Sequence, residues 1–223
     1  MSLIKKNINN IINELEQHNS QSKREVRLVA VSKGQDQEKI LEAFNAGHNI
    51  FGENYLQEAI NKKEALKNFK IEWHFIGPIQ SNKCKLIAEN FQWIQTVDRI
   101  KVANKLNKFN TNQTPLNICI QINISNEDTK SGVKIKEIDA LAEYISNPDK
   151  LKLRGLMTIP SNTIKKEILI NEYKQLKMIY ENLKSKYSTI DTLSMGMSND
   201  YLLAIENGSN LVRIGTKIFG KRT

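Results

Sequence analysis

The stretch EVRLVAVSKG, residues 25–34, holds a β-branched apolar run that ends at Lys33. This composition predicts a buried strand over residues 26–31 that is followed by a loop. Apolar residues at helical spacing over residues 40–44 then predict a helix, and Gly47 is placed to end it. The first unit of the chain is therefore a strand, a loop and a helix.

The same alternation repeats along the sequence, after an opening amphipathic helix over residues 4–15. Seven further apolar runs predict strands, at residues 49–52, 71–76, 91–97, 116–124, 151–159, 190–195 and 211–214. Eight strands that alternate with helices are typical of a closed parallel (β/α)8 barrel of the TIM type. An open, doubly wound sheet uses the same alternation, but the strand count and the lack of a glycine-rich nucleotide motif favour the barrel.

The bulk composition is that of one ordinary globular domain. With 223 residues, four prolines and no linker rich in proline or glycine, the sequence predicts a single domain over residues 1–223. No run approaches the roughly 18 apolar residues that a membrane span requires. Residues 1–15 lack the continuous apolar core of a secretory signal. We therefore expect a cytoplasmic protein with no membrane partner.

Composition also disfavours two classes of site. Cys84 and Cys119 lack metal-ligand or redox-pair spacing and the three histidines are scattered, so no metal site is expected. The net charge of +9 raises the possibility of nucleic-acid binding. However, 27 of the 33 basic residues are lysine, whereas recognition surfaces favour the bidentate arginine. We expect solvated lysines and no nucleic-acid partner.

In barrels of this type the functional site lies at the C-terminal ends of the strands. Polar, methionine or glycine residues occur at or just past several of these predicted ends. The candidates are Lys33, Asn54, His74, Met157, Ser198, Arg213, Gly215 and Thr216. Because the strand ends converge on one mouth, we expect these residues to contribute to a single site.

Lys33 shares a strand face with Val29 and Val31, because side chains alternate along a strand. That apolar face would keep the amine partly desolvated, which favours the uncharged form that a Schiff base needs. A solvated lysine at a strand end is the alternative.

The loops after the last two predicted strands have features of an anion site, as is frequent in such barrels. Ser198 can donate through its hydroxyl and its backbone N–H, and Gly215 lets the backbone approach an anion closely. A helix cap at Ser198 and a simple turn at Gly215 are the alternative. The two interpretations are compatible.

Arg213 lies in an apolar strand on the same face as Gly215, where an unpaired guanidinium would be costly. An ion pair at the barrel rim is one account. The other is a hydrogen bond to a pyridine nitrogen, which would stay unprotonated because arginine is no acid at neutral pH. Such a ring is a weaker electron sink than one that faces an aspartate.

Several motifs, in order along nearly the whole chain, resemble those of the pyridoxal phosphate homeostasis protein family, the YggS-like proteins. They are AVSK at 30–33, FGENY at 51–55, WHFIGPIQSNK at 73–83, GLM at 155–157, LSMGMSND at 193–200, VRIGT at 212–216 and IFG at 218–220. One departure is GQD at 34–36, where family members often carry threonine and proline.

The resemblance implies a barrel similar to the N-terminal domain of bacterial alanine racemase, with pyridoxal phosphate held as a Schiff base on Lys33. It implies that Arg213 contacts the ring nitrogen of the cofactor. The phosphate contacts that it implies are Ser198, Gly215 and Thr216. The pocket-lining residues that it implies are Asn54, His74 and Met157.

The function that the resemblance implies is that of a monomeric carrier or buffer of pyridoxal phosphate, which supplies enzymes that depend on this cofactor. An amino-acid racemase is the alternative. Two-base racemisation in the related barrel enzyme uses a tyrosine from a second, β-rich domain, which this sequence is not expected to supply. Tyr55 lies near the predicted mouth, but one tyrosine cannot serve both faces of a substrate.

Overall fold

The computed structural model describes residues 2–22, 25–127 and 129–221. Its eight strands form a closed barrel in which each strand runs parallel to the next and β8 pairs with β1. The strands are β1 Arg27–Val31, β2 Ile50–Glu53, β3 Glu72–Phe75, β4 Trp93–Val97, β5 Leu116–Ile122, β6 Leu151–Thr158, β7 Thr192–Ser194 and β8 Leu211–Ile214. The pairing of β1 with β8 confirms the predicted barrel and excludes the open sheet.

Helices alternate with the strands along the chain and cover the barrel from outside, with one helix before β1 and one after β8. They are α1 Leu3–Ser22, α2 Gln37–Asn45, α3 Leu56–Ala65, α4 Cys84–Asn90, α5 Ile100–Phe109, α6 Ile138–Ser146, α7 Lys166–Lys186, α8 Tyr201–Glu206 and α9 Thr216–Phe219. The predicted opening helix is present as α1, and its apolar stripe, which includes Ile4, Ile8 and Ile11, is buried. Within the described parts of the chain, no helix has the length and apolar character to cross a membrane.

Alternate strand residues face the barrel interior, and the others pack beneath the helices. Phe75 of β3, for example, packs edge-on against Phe91 with ring centroids 5.1 Å apart. The interior holds several polar and sulfur-containing side chains, all buried, which are His74, Gln95, Cys119, Met157, Ser194 and Arg213. The barrel interior therefore contains hydrogen-bonding side chains beside apolar ones, in contrast to the branched aliphatic layers usual in this fold.

The segment that departs from the family pattern starts α2. Asp36 is the N-cap of this helix, and its carboxylate accepts a hydrogen bond from the backbone N–H of Lys39 over 2.9 Å. Gly34 has a φ of 70°, in the left-handed region that favours glycine, and it turns the chain between β1 and this cap. The departure therefore forms an ordinary capped helix start next to Lys33.

Replacing Asp36 with alanine should lower the free energy of unfolding by about 1 kcal/mol, because the N–H of Lys39 loses its acceptor. Urea unfolding of this variant beside Gln37→Ala, an exposed neighbour, measures the difference. Equal stability of the two variants would show that the cap contributes nothing.

Candidate functional site

A cavity of about 1290 Å³ opens where the C-terminal ends of the strands meet. Its wall contains six of the eight predicted site residues, which are Lys33, Asn54, Ser198, Arg213, Gly215 and Thr216. They come from the ends of β1, β2, β7 and β8 or from the loops that follow. The fold thus brings residues that are up to 183 positions apart in sequence to one mouth.

The other two predicted residues lie in the barrel interior and not in the cavity wall. The ring of His74 stacks on that of Trp93, with centroids 5.1 Å apart and planes 7° apart. Met157 is fully buried and packs with Trp93 and Cys119. Ligand contact by His74 and Met157 remains a prediction, and their direct role here is to pack the barrel.

The turn that carries Lys33 is held on both sides of that residue. On one side, the hydroxyl of buried Ser32 donates to Glu53 over 2.6 Å. On the other side, the backbone N–H of Gly34 donates to Glu58 over 2.6 Å. Because its neighbours are fixed, the half-buried side chain of Lys33 extends from a defined backbone into the cavity wall.

A buried lysine joins these contacts into one network that the sequence did not reveal. Lys62 of α3 donates from Nζ to the Ser32 carbonyl over 2.7 Å, to Glu53 over 2.8 Å and to Glu58 over 2.5 Å. The Glu53 side chain is fully buried, and burial raises the pKa of its carboxyl, while the charge of Lys62 opposes that rise. In the sequence, Lys62 looks like one more solvated lysine on a helix.

Arg213 is buried with its guanidinium anchored twice. Nη1 donates to the hydroxyl of Ser194 over 2.6 Å, and Nη2 donates to the carbonyl of Thr158 over 2.7 Å. Both acceptors are neutral, unlike the rim carboxylate considered above. Burial lowers the pKa of the Arg213 guanidinium to about 10, so the group stays charged at neutral pH. The cavity wall therefore includes a fixed, charged donor.

The loop that carries Ser198 is shaped by an acidic residue two positions further on. The carboxylate of Asp200 accepts from the backbone N–H of Met197 over 2.7 Å and from the hydroxyl of Tyr173 over 2.5 Å. Asp200, and not Ser198, occupies the N-cap of α8. Burial and the charge of Asp200 raise the pKa of the Tyr173 phenol. Ser198 therefore does not cap α8 and lines the cavity.

Gly215 allows β8 to approach β1 closely. A Cβ built on this residue would lie 3.1 Å from the backbone oxygen of Val31, which is tighter than ordinary van der Waals contact. Gly215 also precedes Thr216, the first residue of α9. A larger residue at position 215 would push this end of the cavity wall away from the turn that carries Lys33.

The charge and polarity of the cavity suit an anionic ligand with a donor group. Its wall holds two acidic residues, Asp200 and Glu206, against five basic ones, Lys33, Lys130, Lys166, Arg213 and Lys217. This excess of positive charge concentrates anions in the cleft. The side-chain oxygen of Asn54 is buried without a hydrogen-bond partner, and a ligand hydroxyl would satisfy it.

Comparison with known proteins identifies the family. The alanine racemase N-terminal domain family matches residues 4–223. A pyridoxal phosphate homeostasis protein of Vibrio alginolyticus is 47% identical over 230 residues, which cover all of this chain and 99% of that protein. The chain belongs to the pyridoxal phosphate homeostasis protein family. A further member of the family, from Escherichia coli K12, is 45% identical over 205 residues, with 90% of this chain and 88% of that protein covered.

Solved structures show that the fold of this chain is similar to those of PipY and of alanine racemase. PipY of Synechococcus elongatus, solved with pyridoxal phosphate bound, superposes with a TM-score of 0.87 at 29% identity and covers 97% of this chain and 100% of PipY. Alanine racemase of Corynebacterium glutamicum superposes with a TM-score of 0.74 at 16% identity over 98% of this chain and 61% of that enzyme. The homeostasis family thus shares the barrel of the racemase.

Proposed function

We propose that this protein binds pyridoxal phosphate in the cavity, holds it as a Schiff base on Lys33, and buffers or delivers it in the cytoplasm. The observation that carries the proposal is that Lys33 and the residues predicted to contact an anion line one cavity. Relatives that are named for this homeostasis, and the cofactor bound to PipY, support it.

Five other predicted site residues in the cavity wall have roles in this proposal. Ser198, Gly215 and Thr216 bind the phosphate, and Arg213 donates to the ring nitrogen. The unpartnered oxygen of Asn54 accepts from the ring hydroxyl. When bound, the cofactor supplies an aldehyde that reacts with amines and a ring that can act as an electron sink.

The contacts of Arg213 favour storage over turnover. With a pKa of about 10, its guanidinium stays protonated and donates, so a ring nitrogen that accepts from it stays uncharged. An uncharged ring stabilises a carbanion less well than a ring protonated by an acidic partner. The site therefore favours holding the reactive aldehyde over strong carbanion chemistry at Cα.

Racemase activity is the second candidate, and the tyrosine in the cavity wall argues against it. Tyr201 lines the cavity, but its hydroxyl donates to Glu14, and burial and that contact raise the pKa of the phenol. Such a tyrosine is a poor general base. Incubation with a panel of amino acids in deuterated water tests this, because racemase-like chemistry would exchange the Cα proton.

The partners in this proposal are the cofactor and the apo forms of enzymes that use it. As a second part of the proposal, the protein acts as a monomer. It acts without nucleic acid, since its excess lysines are distributed over the chain rather than gathered with aromatic residues.

Borohydride reduction followed by peptide mapping tests the Schiff base. Protein loaded with pyridoxal phosphate, reduced and digested, should carry the pyridoxyl group on the peptide that contains Lys33. Excess inorganic phosphate added before loading should slow labelling, because it competes for the phosphate contacts. Modification confined to Lys130, Lys166 or Lys217, which also line the cavity, would contradict the proposal.

A further inference from the structure

A line of hydrogen-bonded side chains crosses the barrel interior from the cavity wall to the opposite end. Arg213 donates to Ser194 over 2.6 Å, and Ser194 donates to Gln95 over 2.7 Å. The amide nitrogen of Gln95 lies 2.7 Å from Nδ1 of His74, whose Nε2 lies 2.8 Å from a carboxylate oxygen of Glu72. We call these five residues the interior chain.

The four hydrogen bonds of the interior chain all run in one direction, from Arg213 to Glu72, which only accepts. The amide nitrogen of Gln95 is a donor only, so Nδ1 of His74 accepts and its proton sits on Nε2, toward Glu72. The amide oxygen of Gln95 then faces Ser194 and accepts the single hydroxyl proton of that residue. Ser194 is left with lone pairs for Arg213. Burial lowers the pKa of His74 to about 4, which keeps the imidazole neutral at physiological pH.

The far end of the interior chain is fixed by charge and stacking. Arg27 donates to the same Glu72 oxygen over 2.5 Å, and the side chains of this pair are about one-third exposed. The guanidinium carbons of Arg27 and Arg154 lie 5.1 and 4.6 Å from the ring centroid of Trp93, on which His74 stacks. Arg27 thus holds the Glu72 carboxylate as an acceptor for Nε2 of His74, and the stacking keeps the ring in place between Gln95 and Glu72.

We propose that Ser194 and Gln95 are positioning residues, which hold the guanidinium of Arg213 so that it meets the ring nitrogen of a ligand bound at Lys33. This inference rests on the proposed function and adds to it residues that do not line the cavity. The hydroxyl of Ser194 has one proton and commits it to Gln95. Loss of the Ser194 side chain therefore removes an acceptor of Arg213, and loss of the Gln95 side chain leaves the Ser194 hydroxyl free to turn, while the charge of Arg213 is retained.

Three variants test the proposal: Ser194→Ala, Gln95→Met, which nearly preserves side-chain volume, and the double variant. Each is loaded with pyridoxal phosphate, and the rate of cofactor release and the pH midpoint of the visible band are measured. Each single variant should release the cofactor about tenfold faster, the size expected when a charged donor loses its fixed partner. The band midpoint should move by about half a pH unit, because the electronic environment of the ring changes.

The double variant shows whether Ser194 and Gln95 act through one shared contact to Arg213 or independently of each other. Because both residues act through Arg213, the double variant should release no faster than either single one, whereas independent sites would multiply their effects. Ser209→Ala is the matched control, since this buried hydroxyl donates to the carbonyl of Met195 over 2.7 Å and lies outside the interior chain. The control should keep the release rate and the band midpoint of the unmodified protein.

The imidazole of His74 gives a test that needs no variant. Nitrogen NMR of the unloaded protein at neutral pH should show a neutral ring with its proton on Nε2. A proton on Nδ1 would reverse the direction of donation and overturn the proposal. Unchanged release and band midpoint in Ser194→Ala, or equal changes in Ser209→Ala, would overturn it as well. Failure of the unmodified protein to form a visible band would instead reject the proposed function.

Discussion

Replacing Lys33 with alanine should give a folded protein that forms no visible absorbance band with pyridoxal phosphate. The amine of Lys33 is the group proposed to react with the aldehyde, and alanine removes it entirely. The turn itself should persist, because Ser32 and Gly34 are held by Glu53 and Glu58. We expect complete loss of the band and of borohydride-trapped cofactor, with a change in stability of about 1 kcal/mol or less.

Lys166→Ala is the matched control for this loss. Lys166 lines the same cavity but lies at the start of α7, on an exposed part of its wall. Its removal should lower the positive charge of the cavity and slow loading modestly, while the band still forms. A band of normal intensity in Lys33→Ala, or loss of the band in Lys166→Ala alone, would place the reactive amine elsewhere.

The barrel could be predicted from the sequence because each apolar run records burial on both faces of a parallel strand. The residues at which strands begin and end could not be predicted as closely. The sequence predicts residues 190–195 as a strand, and β7 is only Thr192–Ser194. The sequence likewise predicts a strand over 91–97, and β4 begins at Trp93. Apolar residues that flank a strand are buried too, so burial alone does not fix where pairing stops.

The cavity wall was largely predictable, because residues just past parallel strands meet at one mouth. The depth of a residue within the barrel was not predictable. His74 and Met157 lie near strand ends in the sequence, yet both are in the interior, because depth depends on the stagger between strands. The contact between Ser194 and Gln95 joins residues 99 positions apart on strands that are not neighbours. No local pattern encodes such a contact.

Replacing Lys62 with methionine should lower the free energy of unfolding by about 3–5 kcal/mol, the cost of leaving one member of a buried ion pair without its partner. Methionine fills similar space but leaves Glu53 and the Ser32 carbonyl without their shared donor. One oxygen of Glu53 already lacks a partner, so the carboxylate has few other contacts. Urea unfolding at neutral pH measures the loss.

Lys67→Met is the matched control on the segment after α3. It breaks the 2.7 Å pair with Glu64, in which both side chains are exposed, and should leave the free energy of unfolding nearly unchanged. The double variant Lys62→Met with Glu53→Gln should recover part of the loss, because no uncompensated charge is then buried. Absence of any recovery would show that packing, and not the charge of Glu53, accounts for the effect.

The loss in Lys62→Met should depend on pH in one direction. Burial raises the pKa of Glu53 above its unfolded value of about 4.3, so the folded state binds the proton more tightly. The contribution of Glu53 to stability therefore falls as pH rises from the unfolded pKa to the folded one, and is constant above it. Removal of Lys62 raises the pKa of Glu53 in the folded state further, so the pH range over which stability falls becomes wider. The stability of the variant should thus be closest to that of the unmodified protein near pH 5 and should fall furthest below it near pH 8. A difference in free energy of unfolding that stays constant between these pH values would mean that Glu53 does not carry the charge that Lys62 compensates.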